Sequence, residues 1–450
     1  MCLVGASPAG PVPIWPVPAG TIAGNRVQSH GHGTFPAFQG LRARTGKAIT
    51  WMIAAPLGAG EPARLFASRA DAALVGYAAD PSGLRRLFEF PEATSPDAAP
   101  AAPVVTKAGE RAVVATALDG SLTLVWGGRD VRIPLAATLS PLAHLVPVDV
   151  DGDGVDELLG LSREGDLLLI GGLPEHARVA ARLALHALPD GRVTVGDLDG
   201  DGRLEAVLLT GPTGRYPHGV LGDAVEAEAI TVVELGPGAT LRAKGGFVLA
   251  GEAVFEELGA TLADLDEDGR PELLVARSTP GQGAALVALT WRGGRLEPFA
   301  EGPPVGQAGR WVHLLGVGDV AGGRRPHVVS LRTPHIGGIL QAFEVAPPRL
   351  VLRGERPGLS THAIGSRNLD QVALADLNGS GRPQIVAPDR QRRKIVGVEW
   401  LGGGLLERWS YVLAGPVSSN LVVADLDGGG LLDLAVADAS GTLHVLRSRR

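Results

Sequence analysis

The sequence predicts an all-β fold, a β-propeller of about eight four-stranded blades with seven as the alternative, and three observations predict it. An acidic element recurs along the chain at intervals of roughly 50 to 70 residues. Short apolar runs of strand length flank each copy on both sides. The 450 residues include 64 Gly and 34 Pro against seven Trp, three Tyr and nine Phe, and so much turn-forming material suits many short strands joined by tight connections.

The recurring element is Asp149-Val-Asp151-Gly-Asp153-Gly154, repeated as Asp197-Leu-Asp199-Gly-Asp201-Gly202 and Asp264-Leu-Asp266-Glu-Asp268-Gly269. Weaker copies begin at Asp319, Asp376 and Asp425. An apolar run precedes each copy, as in Leu421 to Ala424, and a second follows it, as in Ala206 to Leu209 or Leu434 to Ala437. A third run comes after a polar turn, as in Leu167 to Ile170 or Leu443 to Leu446. Leucine-rich and β-branched runs of this length, bounded by Gly, Asp and Pro, read as antiparallel hairpins. The first third of the chain keeps the rhythm without the acids, through Trp51 to Ala55, Arg64 to Ser68 and Leu74 to Tyr77, then Pro103 to Val105, Ala112 to Ala115 and Leu122 to Trp126. Two degenerate units added to six make eight.

The last unit ends after its third strand, so closing the ring requires a strand from elsewhere. Residues 1–45, rich in Pro and Gly, are assigned as an N-terminal segment that supplies it, and residues 46–450 as the propeller. Trp126, Trp291 and Trp400, with Tyr77 at the comparable place, end third strands, and repetition at one structural position predicts packing between blades.

Counted from its first Asp, the acidic loop carries carboxylates at positions 1, 3, 5 and 9: Asp149, Asp151, Asp153 and Glu157; Asp197, Asp199, Asp201 and Glu205; Asp264, Asp266, Asp268 and Glu272. Two carboxylates about 4 Å apart repel by roughly 4 kcal/mol at an effective dielectric near 20, and each loop holds four. A hard oxygen cage of this kind suits Ca²⁺ better than Zn²⁺. An ordinary Asp-Gly hairpin turn needs no acids at four fixed positions. Position 12 is Gly160, Leu208 or Val275, which rules out the bidentate Glu of an EF-hand. Three strong calcium sites are expected. A fourth, weaker one holds Asp425, Asp427 and Asp433 with Gly429 at position 5; a marginal fifth lies at Asp376, Asn378, Ser380 and Gln384. The copy at Asp319, with Ala321, Gly323 and His327, is expected to have lost its metal.

This pattern resembles the FG-GAP or VCBS repeat of integrin α-subunit propellers and of many bacterial secreted or surface proteins, over roughly residues 46 to 450. The resemblance implies structural calcium in loops that join the first and second strands of a blade, on the face opposite the usual ligand surface.

The net charge of −7 and the lack of a Lys/Arg cluster argue against nucleic acid. Segments such as Arg390, Arg392, Arg393 and Lys394 read as solvated turns. No apolar stretch is long enough to cross a bilayer as a helix. Cys2 is the one cysteine, so there is no internal disulfide framework; an incidental residue is the favoured reading over a lipid anchor at Cys2. His30 and His32 read as part of a turn. No nucleophile elbow, phosphate loop, zinc-protease helix or dinucleotide fingerprint is present.

The expected function is therefore a calcium-stabilised binding or scaffolding module for a protein or glycan partner. Its best candidate contact is the long connection Thr210 to Glu228 with Tyr216, Pro217 and His218. The alternative is a carbohydrate-active enzyme, similar to a polysaccharide lyase, using a channel ring of His144, Arg192, His313, Asp370 and Asn420. Millimolar-range calcium affinity of extracellular modules points to an extracytoplasmic location: periplasmic, cell-surface or secreted.

Overall fold

The computed structural model describes residues 34–449 apart from 59, 81 and 379; Cys2, His30 and His32 lie outside the described residues. Among the described residues there are strands and turns and no helix. The strands fall into eight antiparallel four-stranded meanders: blade 1 (49–90), blade 2 (101–133), blade 3 (146–184), blade 4 (194–248), blade 5 (261–301), blade 6 (312–359), blade 7 (373–412) and blade 8 (422–449 with 34–44). Blades 4, 5 and 6 are hydrogen-bonded into one larger sheet by two small bridges, the short strand Val254–Phe255 between blades 4 and 5 and the pair Glu301 and Arg349 between blades 5 and 6.

First strands stand innermost. That of blade 8 lies beside that of blade 1, which lies beside that of blade 2, so the succession closes on itself. An apolar cluster fills each of the eight junctions between neighbouring blades. At the closing junction Ile49, Met52 and Leu65 of blade 1 pack with Ala435, Leu443 and Val445 of blade 8. A second or third strand is covered on both faces by the adjoining blades, which is why Asp166–Gly171 and Gln384–Pro388 are buried along their whole length and read as continuous apolar runs. A fourth strand has one wet face. Arg178–Ala184 alternates exposed and half-buried positions, and its Arg182 pairs with Asp166 on the third strand.

The ring is closed by the N-terminal strand Thr34–Arg44, which pairs antiparallel with Thr442–Arg449 in the register Gly40 to Leu446 and Arg44 to Thr442. It supplies the outer strand of blade 8, and its Phe38 ring lies 5.1 Å from that of Trp409 in blade 7. This covers an edge that would otherwise expose unpaired N–H and C=O groups.

The third-strand aromatics pack between blades. A Cβ added to Gly354, on the outer strand of blade 6, would lie 2.8 Å from the Trp400 ring of blade 7, and one on Gly245 of blade 4 would lie 3.1 Å from Trp291 of blade 5. Each indole therefore lies against a bare stretch of the preceding blade's outer strand. The expected solvated turn holds for Arg390, Arg393 and Lys394, which are exposed. Arg392 departs from it: it is half-buried and donates from Nη2 to the Val417 carbonyl at 2.5 Å, and with Arg393, which donates to Ala414 O at 3.0 Å, it braces the connection into blade 8.

Candidate metal centres and the capped channel

Every acidic loop joins the first and second strands of its blade. The loop from Asp149 follows Val146–Val148 and ends on Glu157–Leu161; those from Asp197, Asp264, Asp319, Asp376 and Asp425 stand in the same frame. In an antiparallel meander, the second-to-third connections and those leading to the next blade lie at the opposite end. The acidic loops thus define a lower face, and the residues 214–225, 333–337 and 360–372 lie on the upper one.

Side chains at positions 1 and 9 brace the backbone of these loops. The position 1 carboxylate caps the turn, Asp149 accepting from Gly152 N at 2.7 Å and Gly154 N at 2.8 Å, and Asp197 from Gly200 N at 2.7 Å and Gly202 N at 2.9 Å. The position 9 side chain accepts the N–H of position 2: Leu198 N to Glu205 at 2.8 Å, Leu265 N to Glu272 at 2.8 Å, Leu377 N to Gln384 at 2.9 Å and Leu426 N to Asp433 at 3.1 Å. The copy at Asp319 keeps its position 1 cap, taking Gly322 N at 2.7 Å and Arg324 N at 2.7 Å, although Ala321 and Gly323 stand at positions 3 and 5. Where acids stand at position 5 they brace the turn further, Asp153 accepting from Val155 N at 2.8 Å, Asp201 from Arg203 N at 2.8 Å and Asp268 from Arg270 N at 2.9 Å.

Carboxylate oxygens come within 4.8 Å of one another in four loops: Asp149, Asp151 and Asp153; Asp197, Asp199 and Glu205; Asp264, Asp266 and Glu272; Asp425, Asp427 and Asp433. Glu157 stands outside the first group, and Asp201 and Asp268 outside the second and third; Asp268 instead pairs with Arg270 at 2.7 Å. Burial pushes Glu272 up to about 7, with Asp266 adding repulsion, and Asp433 likewise to about 7, with Asp427 adding to it. Glu157 is raised by burial and by Asp151, Asp153 and Asp149. A buried carboxylate raised in this way gains from a nearby cation. The donor set, carboxylates on a tight loop with backbone carbonyls at hand, fits Ca²⁺.

Two loops carry an internal cation that the sequence pattern did not reveal. Lys244, from the outer strand of blade 4, places Nζ 2.7 Å from Asp199, 2.8 Å from Glu205 and 3.5 Å from Glu234. Arg447 pairs with Asp427. The only sequence signal is a basic residue on a strand 20 to 45 residues downstream of the Asp it meets, and its approach depends on sheet register.

The ring of polar residues around the channel does assemble. Arg192 donates from Nη1 to Asp370 at 2.8 Å, and its guanidinium lies 5.4 Å from the Trp51 ring centre. His144 meets Trp51 edge-on at 4.5 Å, and Asn420 bonds both Met52 N and Met52 O, at 2.7 and 2.8 Å. But the ring is sealed: Trp51 is 2% exposed, His144 3%, and His313 and Asp370 0%. Burial and the charge of Arg192 hold His144 well below its usual range. These groups fill the channel as packed, cross-braced side chains, which weighs against the enzyme alternative placed there.

The upper mouth is covered as well. The long connection in blade 4 is 214–225, shorter than expected because the flanking strands run on to Thr213 and start again at Glu226. It meets the connection from blade 6 to blade 7, with Gly365 N donating to Val220 O at 2.9 Å and Arg367 bridging Asp223 and Asp190, each at 2.8 Å. Asn368 then reaches across to Thr50 O of blade 1 at 2.9 Å. Tyr216, expected as a contact residue, is buried, its hydroxyl accepting from Gly309 N at 3.1 Å; His218 is turned inward onto Glu256, and only Pro217 of the three is exposed. What the upper face presents instead is Val225, Ile336 and Ile364, 44%, 47% and 67% exposed.

No protein-family model matches the chain, and no curated protein matches it. Solved structures share its fold. Sqt1 of Saccharomyces cerevisiae superposes with a TM-score of 0.54 at 10% sequence identity, over 94% of this chain and 100% of that one. A quinohemoprotein alcohol dehydrogenase from Comamonas testosteroni gives a TM-score of 0.56 at 9% identity, over 95% of this chain and 79% of that one. At such identities the likeness is one of fold, and the chain is a β-propeller. Among the described residues no helix is long and apolar enough to cross a membrane.

Proposed function

We propose that this propeller is a calcium-stabilised scaffold of the FG-GAP type that presents its upper face to a protein partner outside the cytoplasm. The observation that carries the binding assignment is the capped channel: two long connections cross-linked by Arg367 support the exposed apolar residues Val225 and Ile364, with Ile336 on a neighbouring turn. Apolar residues held on rigid backbone bind at low entropic cost. The site lacks exposed aromatic platforms, which favours protein over glycan.

Calcium is supported by the crowding of acids. Four loops bring three carboxylate oxygens within 4.8 Å of one another, where the charges repel, and a divalent ion relieves that repulsion. Extracellular modules hold calcium at about 10⁻⁴ to 10⁻³ M, the basis for the extracytoplasmic location.

The test is affinity capture in calcium and in EDTA, using the wild type, the variant V225D/I336D/I364D, and V412D as an outer-strand control. The expected result is a partner retained by wild type and V412D and lost by the triple variant. Equal retention by all three overturns the upper-face assignment; retention in EDTA overturns the part given to calcium.

A further inference from the structure

On the outer flank of the ring, at the junction of blades 4 and 5, lies a cavity of about 240 Å³ that neither the calcium loops nor the upper face uses. The chain leaves the outer strand of blade 4 at Val248 and returns as the short strand Val254–Phe255. Phe247 and Phe255 wall the cavity on this side, and Val287, Leu289 and Phe299 of blade 5 wall it on the other. Three of the nine Phe of the chain therefore line one space. Phe255 is fully buried, its ring centre 6.4 Å from that of Phe247 and the two planes tilted by 59°, whereas Phe247 and Phe299 are half-buried. A concave apolar wall with very few polar groups is the usual form of a small-molecule site.

The polar side chains at the cavity are Arg277, on the second strand of blade 5, and Glu301, at the end of the fourth. Arg277 donates from Nη2 to Glu301 at 2.6 Å. Its Nε is buried without a partner, and the guanidinium makes no other hydrogen bond among the described residues. An unpaired donor in such a place carries a cost that an acceptor would remove. Glu301 already neutralises the guanidinium, so a carboxylate brought to the same place would meet a like charge. The next junction, between blades 5 and 6, gives the contrast: its cavity is about 140 Å³, and there Gln341 donates to Glu355 at 2.6 Å, so polar side chains satisfy one another.

We propose that the cavity between blades 4 and 5 binds a neutral aromatic molecule of one substituted ring that carries a hydrogen-bond acceptor, the class exemplified by an aryl ketone. Size sets the single ring, because a dry cavity of about 150 Å³ holds benzene and drug-sized ligands take about 300–1,000 Å³. The phenyl walls set the aromatic character, since edge-to-face and offset contacts between rings add to the apolar area they bury. The unspent N–H groups of Arg277 set the acceptor, and the carboxylate of Glu301 sets the neutral charge. Arg277 keeps 28% of its side chain exposed, so a small swing of the guanidinium presents those groups to the ligand. This site is separate from the upper face and stands whether or not that face binds a partner.

The experiment titrates the full chain, in excess calcium, with acetophenone, toluene and benzoate, read by ligand-observed NMR. Acetophenone should bind one per chain with a Kd of about 1 mM or tighter. Toluene, the same ring without the acceptor, should bind about tenfold more weakly, and benzoate should also bind more weakly than acetophenone. R277M should bring acetophenone down to the level of toluene while leaving toluene within about twofold of its wild-type affinity. V287W, which fills the cavity, should abolish binding of both, and F247A, which removes a half-buried wall at less risk to the fold, should weaken both. V225D/I336D/I364D should bind acetophenone as wild type does. No acetophenone binding up to about 10 mM, affinity unchanged in both V287W and F247A, or benzoate binding more tightly than acetophenone overturns the assignment, and so does loss of binding in the upper-face triple variant.

Discussion

Replacing Gly397 by Ala should unseat Trp409 and loosen the closure of the ring. Gly397 on the third strand of blade 7 pairs directly with Trp409 on the fourth, and an added Cβ would lie 1.8 Å from Nε1 and 2.1 Å from Cε2 of the indole. Ordinary carbon contacts need about 3.5 Å or more, so the indole must leave its place. Trp409 is 7% exposed, packs in the junction between blades 7 and 8, and touches Phe38 of the closing strand. Loss of a buried Trp costs about 3–5 kcal/mol. With an unfolding entropy of about 2.1 cal/mol/K per residue, a chain of this length loses roughly 0.9 kcal/mol per degree, so the melting temperature should fall by about 3–5 °C in calorimetry if the ring unfolds as one unit. G397A/W409A should lose little beyond W409A alone, because the same ring accounts for both costs. A G397A protein melting within a degree of wild type, or strict additivity in the double variant, refutes this packing argument.

Deleting residues 1–45 removes the outer strand of blade 8 and should lower the melting temperature by more than G397A does, with increased aggregation from the uncovered edge of Thr442–Arg449; unchanged thermal unfolding and monodispersity would contradict the closure. Substitution K244M takes the ammonium from Asp199 and Glu205 and should raise calcium affinity at that loop about tenfold, whereas D266N should abolish binding at the loop of blade 5; calorimetric titration that finds both variants equal to wild type counts against the calcium assignment. Stability should also fall on the alkaline side. Glu226 is pushed up to about 9 by burial and by Glu256, and Glu257 to about 8 by burial, against about 4.5 when unfolded. The folded state therefore holds extra protons from about pH 4.5 upward, and stability drops by up to about 1.4 kcal/mol per pH unit for each group until its folded pKa is passed. His144, held low by burial, works the other way, stability falling as pH drops through about 6.5. Stability that falls from about pH 7 to pH 9, with a flatter alkaline limb in E226Q, is expected in thermal melts; stability that rises over that range would refute it.

The repeat was legible because it is carried by local chemistry. Acids at alternate positions with Gly between them specify a tight turn, and the runs on either side are apolar throughout, as in Leu434 to Ala437, because inner strands are covered on both faces. The acid-free blades 1 and 2 were legible for the same reason. Outer strands such as Arg129–Ile133 were hidden: one face is wet, so charged residues interrupt the run and the pattern matches a polar loop as well as a strand. The placement of Tyr216 was misread, since composition marks a long connection as surface but does not say which side chains fold beneath it.

What the sequence determined by itself was the unit, a count of about eight with seven as the alternative, and the placing of carboxylates in the acidic turns, all read from residues close together in the chain. Tertiary structure alone decided which distant groups meet. Lys244 reaches the loop at Asp197 through sheet register. Arg192 finds Asp370 because the first strands of blades 4 and 7 face one axis. His218 meets His335 across more than a hundred residues of chain. Such encounters depend on how blades are rotated about the ring, and no local pattern encodes that rotation.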